Sequence, residues 1–262
     1  MKKISIIIFI LLVIAAIFYW QEKIIKGVEI IINNNLNSGI NQSKNDIGIK
    51  TSEEISISTP FIMPEGEISR GNANKKQIIF TFDCGSGINS TDKILEVAQK
   101  HNVKLAFFAT CKFAEKYPET IKKIAAEGHE IFNHTYSHPH LTQITDEEIK
   151  NELEKTDKII SDLTDKTTKP YFRPPYGDRN QHVLDIAEEA GFHSVYWTTD
   201  ALDWMMDKTA EQVRQRIYSS LKNGEIILMH VGDDITGNIL DEVFNKVESE
   251  GYRVVGLTEG LR

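Results

Sequence analysis

The stretch Ile78-Ile79-Phe80-Thr81-Phe82 is a continuous run of apolar and β-branched residues without a charge. Such a run is typical of a strand in a parallel sheet that helices cover. Ser90 follows and suits the N-cap of a helix. The next residues place Ile94, Leu95 and Ala98 on one helical face. The folded part of the chain therefore begins as a strand followed by an amphipathic helix.

The same alternation of strand and helix continues towards the C-terminus. Apolar strand patterns recur around residues 105–109, 131–133, 194–197, 225–229 and 252–255, with helical patterns between them. Six or seven βα units in sequence predict an α/β fold with a parallel sheet, either a barrel or a doubly wound sheet. In both architectures functional groups collect at the carboxyl ends of the strands.

The N-terminal segment differs in composition from the rest. Two lysines precede an uncharged run from Ile4 to Trp20, which is typical of an export segment. Bulky residues follow Ala15 and Ala16, so the segment lacks a good cleavage site. We predict a membrane-anchor helix over residues 1–22 that spans the cell membrane once and leaves the rest of the chain outside. If the segment is cleaved, the protein is secreted instead.

Residues 23–75 are rich in Asn, Ser and Ile without a sustained period, which predicts a mostly irregular linker before a folded domain over residues 76–262. The 38 acidic residues outnumber the 30 basic residues, so the composition does not favour nucleic acid as a partner. No sequence feature indicates a protein partner.

Polar or ionisable residues follow every predicted strand. They are Asp83, Cys84, Thr110, Cys111, Asn133, His134, His138, Arg173, Tyr176, Thr199, Asp200, Asp203, Trp204 and His230. Taken singly, each has a structural explanation, such as a helix cap, a surface charge or a hydrogen-bonded core imidazole. Their shared placement predicts one polar cleft.

His134 and His138 have a spacing that suits metal binding. On a helix, residues four apart lie on one face and could both point a ring nitrogen at one ion. Histidine pairs also arise by chance. The other ionisable groups at the strand ends favour the metal-binding interpretation.

Five segments in this order resemble the motifs of the polysaccharide deacetylases, carbohydrate esterase family 4. They are Thr81-Phe82-Asp83-Cys84-Gly85, His134-Thr135-Tyr136-Ser137-His138, Arg173-Pro174-Pro175-Tyr176, Asp200-Ala201-Leu202-Asp203-Trp204 and Leu228-Met229-His230. The resemblance implies a distorted (β/α) barrel of six to eight strands. It also implies a hydrolase that removes N-acetyl groups from a GlcNAc-containing glycan with a divalent metal, zinc before cobalt or manganese. The anchor would hold the enzyme at the cell envelope, which favours peptidoglycan as the substrate.

The resemblance implies catalytic roles for four residues. Asp83 would be the base and Arg173 its ion-pair partner. His230 would protonate the leaving nitrogen, and Asp203, rather than the alternative Asp200, would orient it.

The resemblance also implies metal and substrate contacts. His134 and His138 would bind the metal, and the backbone N–H of Tyr176 would lie near the oxyanion. Trp204 and Leu228 would form walls of the substrate pocket, although both residues also suit a purely structural place in the core.

Cys84 departs from the family pattern, because a metal-binding Asp usually occupies this position. Three alternatives are open. Cys84 could bind the metal as a thiolate. It could form a disulfide with Cys111, since neighbouring parallel strands lie about 4.8 Å apart. It could also be an inert buried thiol, with the metal held by two imidazoles and water.

Two other functions suit the same motifs. One is an acetyl-ester hydrolase acting on a xylan-type polysaccharide. The other is a non-catalytic glycan-binding module with a degraded metal site. Binding alone does not require Asp83 and His230, so their presence favours an enzyme.

Overall fold

The computed structural model describes residues 64–262. The predicted anchor over residues 1–22 and most of the predicted linker over residues 23–75 lie outside this range. Among residues 64–262, no helix is both long enough and apolar enough to cross a membrane.

Within the described residues, eight strands form one sheet in which every pairing is parallel. They are β1 (Gln77–Cys84), β2 (Ala106–Ala109), β3 (Glu130–Asn133), β4 (Tyr171–Phe172), β5 (His193–Ser194), β6 (Thr199–Asp200), β7 (Glu225–His230) and β8 (Arg253–Val255). The order is β5-β4-β3-β2-β1-β7-β6, and β8 pairs with β1. Within residues 64–262, β5 and β6 do not pair with each other. The predicted α/β architecture and strand number are confirmed, and the sheet is a curled half-barrel that stays open between β5 and β6.

Residues 64–262 also form eight α-helices, seven between strands and one after β8. They are α1 (Thr91–Lys100), α2 (Cys111–Lys116), α3 (Pro118–Ala126), α4 (Asp146–Thr164), α5 (Gln181–Glu189), α6 (Ala210–Ser220), α7 (Ile235–Ser249) and α8 (Leu257–Gly260). Capping boxes at Thr145 and Thr209 fix the first turns of α4 and α6. These caps orient the helices that cover the sheet.

Strand β1 lies at the centre of the sheet and is buried along its whole length. Successive side chains of a strand point to opposite faces. Phe80, Phe82 and Cys84 therefore pack in the large core that includes the helices, whereas Ile79 packs in a second cluster on the other face. Asp83 points to this second face. Because it is the second-last residue of β1, its carboxylate lies at the carboxyl end of the sheet.

Residues 64–75 belong to the predicted linker, yet in the structure they contact the sheet. Ile68 forms a parallel bridge with Val195 next to β5. The Glu67 carboxylate accepts hydrogen bonds from Arg179 at 2.7 Å and from the Ser194 hydroxyl at 2.8 Å. The Glu67 and Arg179 side chains are almost completely buried. This segment is part of the packed structure.

Candidate active site

A cleft of about 600 Å³ opens at the carboxyl ends of the strands. Its lining is formed by Asp83, Gly85, Ser86, His134, His138, Pro174, Tyr176, Trp197, Asp200, Trp204, Leu228 and His230. The fold therefore brings together residues from all five sequence motifs, although they are far apart in the chain.

The loop after β3 brings two imidazoles together. The Nε2 atoms of His134 and His138 are 3.2 Å apart. The expected helix at this pair is wrong, because residues 134–140 form a loop. Thr135 and His138 have φ angles of 66° and 63°, a left-handed conformation that is uncommon outside glycine. Hydrogen bonds from Thr135 N to Asn133 Oδ1 and from His138 N to Thr135 Oγ1 stabilise this turn.

The surroundings favour the neutral form of both imidazoles, in which each ring has one nitrogen with a lone pair. His134 Nδ1 lies 2.9 Å from the carbonyl oxygen of Arg173, which can only accept, so Nδ1 carries the proton and Nε2 the lone pair. Burial lowers the pKa of His134 despite the nearby Asp83 carboxylate. Burial also lowers the pKa of His138 to about 4. Neutral imidazole nitrogens are good ligands for zinc and similar cations.

The Asp83 carboxylate lies next to this pair. Asp83 Oδ2 is 3.4 Å from His134 Nε2, and Oδ1 accepts a hydrogen bond of 2.7 Å from Arg173 Nη1. Burial alone would raise the pKa of Asp83, but the positive charge of Arg173 and the hydrogen bond from its guanidinium hold the pKa below its ordinary value. Asp83 is thus an ionised carboxylate suited to accept a proton.

Arg173 is fully buried and held from several sides. Its Nε donates to the Val195 carbonyl at 3.1 Å, and its guanidinium lies 4.1 Å from the centre of the Phe108 ring. A buried guanidinium is tolerated only when it is paired and hydrogen-bonded, and both conditions are met here. The result is a rigid ion pair with Asp83.

His230 lies on β7, directly opposite Asp83 in the strand register. Its Nδ1 donates to Asp203 Oδ1 at 2.9 Å, and its backbone N donates to Asp203 Oδ2 at 2.7 Å. Burial would lower the pKa of His230, but the Asp203 carboxylate outweighs burial and raises it. The second ring nitrogen remains for the cleft, so His230 is suited to donate a proton there.

Asp203, not Asp200, is the hydrogen-bond partner of His230. Asp200 Oδ1 instead accepts from the Leu202 backbone N at 2.8 Å, and burial raises the pKa of Asp200. Asp203 also accepts a hydrogen bond of 2.5 Å from the hydroxyl of Thr236. The polar contacts of His230 to Asp203 therefore fix the orientation of the imidazole.

Cys84 does not line the cleft. Its fully buried thiol points into the core between sheet and helices, 3.8 Å from the Phe82 carbonyl oxygen. Burial and then the Asp83 charge raise the pKa of this thiol well above its ordinary value, so it is not a thiolate. Cys84 and Cys111 are both free. Of the three alternatives, this geometry matches the inert buried thiol.

The three residues predicted to contact the substrate all line the cleft, but they differ in exposure. Tyr176 and Trp204 are 63% and 53% exposed, which is unusual for large aromatic side chains, whereas Leu228 is buried in the cleft wall. The Tyr176 ring stacks on His140 with 4.2 Å between ring centres. Exposed aromatic faces at a cleft rim are suited to cover the apolar face of a sugar.

A divalent cation fits the donor set only in part. The two Nε2 atoms present a suitable pair of ligands, but catalytic zinc sites generally have three protein ligands. Within residues 64–262, no group of three or more His, Cys, Asp or Glu side chains has metal-site geometry. The position of the absent third ligand is the one that Cys84 occupies in the sequence motif, so we expect weak binding.

Two polar residues near His230, Thr236 and Asp233, were not predicted from the sequence to belong to the site. Thr236 donates to Asp203, and Asp233 lies at the start of α7 beside the same carboxylate. The sequence feature that could have indicated this role is the pair Asp233 and Asp234, soon after His230 at the end of a strand. Helix-start residues of this kind usually act only as caps, which hides any further role.

Comparison with known proteins relates the chain to one family. The family model described as polysaccharide deacetylase matches residues 70–195. A peptidoglycan-N-acetylglucosamine deacetylase of Bacillus cereus is 37% identical over 191 residues, which cover 71% of this chain and 69% of the relative. A peptidoglycan-N-acetylmuramic acid deacetylase of Bacillus subtilis is 32% identical, covering 70% of each chain.

A solved structure adds a relative of a different kind. It is a carbohydrate esterase family 4 pseudoenzyme of Bacillus anthracis, 31% identical, with a TM-score of 0.72 over 75% of this chain and 69% of that chain. A mutant of this pseudoenzyme with restored enzymatic activity matches with the same TM-score and 32% identity. The chain thus shares its fold with a pseudoenzyme and with an enzymatically active mutant of it.

Proposed function

The chain belongs to the polysaccharide deacetylase family, hydrolases of non-peptide carbon–nitrogen bonds, and from that premise we propose that it removes N-acetyl groups from a GlcNAc-containing cell-envelope polymer. Peptidoglycan is the favoured substrate. The support is that two relatives of substantial identity are named for peptidoglycan sugars, one for N-acetylglucosamine and the other for N-acetylmuramic acid.

One observation carries the proposal. Asp83 and His230 are paired neighbours on β1 and β7, and each is held by its own charged partner, Arg173 and Asp203. The pKa of Asp83 is lowered and that of His230 is raised. A base that stays ionised and an acid that stays protonated are what amide hydrolysis requires on the two sides of the carbonyl.

The mechanism follows from these charges. A divalent cation held by His134 and His138, with zinc favoured, would supply Lewis acidity for the carbonyl and for the attacking water. Asp83 accepts the proton of that water as the water attacks the acetyl carbon. His230 donates its proton to the nitrogen of the departing amine. The backbone N–H of Tyr176 is proposed to stabilise the oxyanion.

A direct test measures acetate release by the full-length protein from peptidoglycan and from N-acetylglucosamine oligomers, with zinc or cobalt supplied. Wild type should release acetate, and Asp83→Asn should not. Asp207→Asn is a matched control, because Asp207 lies on the Trp204 loop with its side chain 70% exposed. Absence of release from every acetylated glycan would contradict the proposal. Faster release from acetylxylan would favour the ester hydrolase.

The alternative function is a non-catalytic glycan-binding module, and two observations favour considering it. Cys84 stands where the family pattern has a metal-binding carboxylate, and a pseudoenzyme is among the similar structures. Glycan binding by wild type without any acetate release, under saturating metal, would support this alternative.

We also propose that residues 1–22 anchor the enzyme in the cell membrane with the catalytic domain outside. Cell fractionation together with protease treatment of intact cells tests this proposal. Recovery of the mature protein in the medium would show that the segment is cleaved.

A further inference from the structure

Asp233, at the start of α7, is held in one position by the backbone around it. Its Oδ1 accepts hydrogen bonds from Ile235 N at 2.7 Å and Thr236 N at 2.8 Å, two of the free N–H groups of the helix start. The Ser90 hydroxyl donates to the Asp233 carbonyl oxygen and accepts from Gly237 N. The carboxyl group therefore has little freedom to turn away from its neighbours.

The other carboxyl oxygen of Asp233, Oδ2, is buried. Asp233 Oδ2 has no hydrogen-bond partner among residues 64–262. Thr236 bridges the two carboxyl groups, because its backbone N donates to Asp233 Oδ1 and its hydroxyl donates to Asp203 Oδ2. Asp203 already accepts from the backbone and ring of His230 and from Thr236. Two carboxyl groups this close cannot both be ionised at low cost, and a proton on one of them satisfies the unpaired oxygen.

The surroundings decide which group carries that proton. Burial and then the Asp203 charge raise the pKa of Asp233 to about 7. Burial would likewise raise the pKa of Asp203, but hydrogen bonds from His230 and Thr236 lower it below its ordinary value. Of the two groups, Asp233 is therefore the one that holds a proton more readily, and in this form its hydroxyl can donate to Asp203.

We propose that Asp233 is a positioning residue that holds a proton against Asp203 and thereby sets the negative charge that His230 faces. Its effect on catalysis rests on the proposed function of His230 as the proton donor. While Asp233 is protonated, one negative charge lies beside the imidazole. When Asp233 ionises, a second negative charge stabilises the imidazolium, so His230 retains its proton to higher pH.

Other titratable groups face His230, and the proposal leaves them unchanged. They are Asp83 on β1, Asp200 at the end of β6, Asp203 after β6, and the His134 imidazole after β3. The charged group facing Asp233 is Asp203, while its neighbour Asp234 is exposed and accepts from Asn89. Neither Asp233 nor His230 belongs to the imidazole pair assigned to the metal.

The test is an NMR titration of the His230 imidazole in the full-length protein labelled at histidine, with His230→Gln to assign the signal. Asp233→Asn keeps the helix-start hydrogen bonds and the donor to Asp203, but it cannot ionise. We expect it to lower the pKa of His230 by about half a unit to one unit. Asp234→Asn removes an equal, exposed charge and should shift this pKa by less than about 0.2 unit.

The two variants also separate this inference from the proposed function. An unchanged pKa of His230 in Asp233→Asn, a rise, or a shift equal to that in Asp234→Asn would overturn the inference whether or not the protein is active. If wild type releases acetate, the alkaline limb of its kcat profile should move to lower pH in Asp233→Asn, with kcat near pH 6 within about twofold. If wild type has no activity, the proposed function fails and the titration still decides the role of Asp233.

Discussion

Arg173 is the residue on which the charge of the catalytic base depends. It has no exposed surface, and its partners are the Asp83 carboxylate, two backbone carbonyls and two aromatic rings. Burial alone would favour a protonated Asp83, so the base is ionised because a cation was buried with it. The sequence motif identifies this pair, but only the structure gives its 2.7 Å contact.

Arg173→Gln should impair both the base and the fold. Without the guanidinium, the pKa of Asp83 rises, so the acidic limb of kcat/KM moves to higher pH. Removing one partner of a buried ion pair also leaves a buried charge uncompensated, which costs about 3–5 kcal/mol. Urea unfolding measures the stability loss. Unchanged stability together with an unchanged acidic limb would refute this role of Arg173.

His230→Gln should show how strongly each leaving group depends on a proton from His230. An amine must be protonated as it departs, so the rate on N-acetyl substrates should fall by about 10²–10⁴-fold. An alcohol leaves with less help, and the loss on acetylated xylan should be at least about tenfold smaller. Parallel initial rates on the two substrates measure the difference. Equal losses on both would argue against proton donation by His230.

At the scale of elements, strands were predictable from sequence and loops were not. The uncharged run of residues 78–82 indicated a buried strand, and β1 is one. The loop after β3 was not predictable, because Thr135 and His138 adopt left-handed angles that only the surrounding hydrogen bonds stabilise. The histidine spacing thus identified the right pair of residues. The assumption that they lie on a helix was wrong, because a loop brings them together.

The alternation of side chains along β1 also explains Cys84. Asp83 faces the cleft and Cys84 faces the helices, so a thiol at this position does not reach the imidazole pair. Cys84→Ala should retain the zinc affinity of wild type within about twofold, and lose only the small packing energy of a sulfur atom, about 1 kcal/mol. Competition with a zinc chelator measures the affinity. A loss of tenfold or more would restore Cys84 as a ligand.

At the scale of the whole molecule, the packed structure includes a segment with no periodic signal. Residues 64–75 are irregular and polar, so composition placed them in a linker, but buried contacts attach them near β5. Long-range contacts of this kind leave no local pattern in a sequence. The order of the five motifs, by contrast, indicated the sheet and the cleft, because parallel strands bring their carboxyl ends to one edge.

Glu67→Gln should therefore destabilise the domain although Glu67 is far from the cleft. The carboxylate accepts two hydrogen bonds from Arg179 and one from Ser194 in a buried setting, and weakening them should cost about 1–3 kcal/mol. Glu65→Gln is the exposed control and should cost less than about 0.5 kcal/mol. Urea unfolding of the full-length variants compares them. Equal stability of the two variants would mean that the segment contributes little.

The central claim is that the motif residues form a working deacetylase despite Cys84. The most direct measurement is the initial rate of acetate release from peptidoglycan by full-length wild type and by Asp83→Asn, each with saturating zinc. We predict measurable release by wild type and a loss of at least about 100-fold in Asp83→Asn. Release at equal rates by both proteins, or none by wild type on any acetylated glycan, would contradict the account.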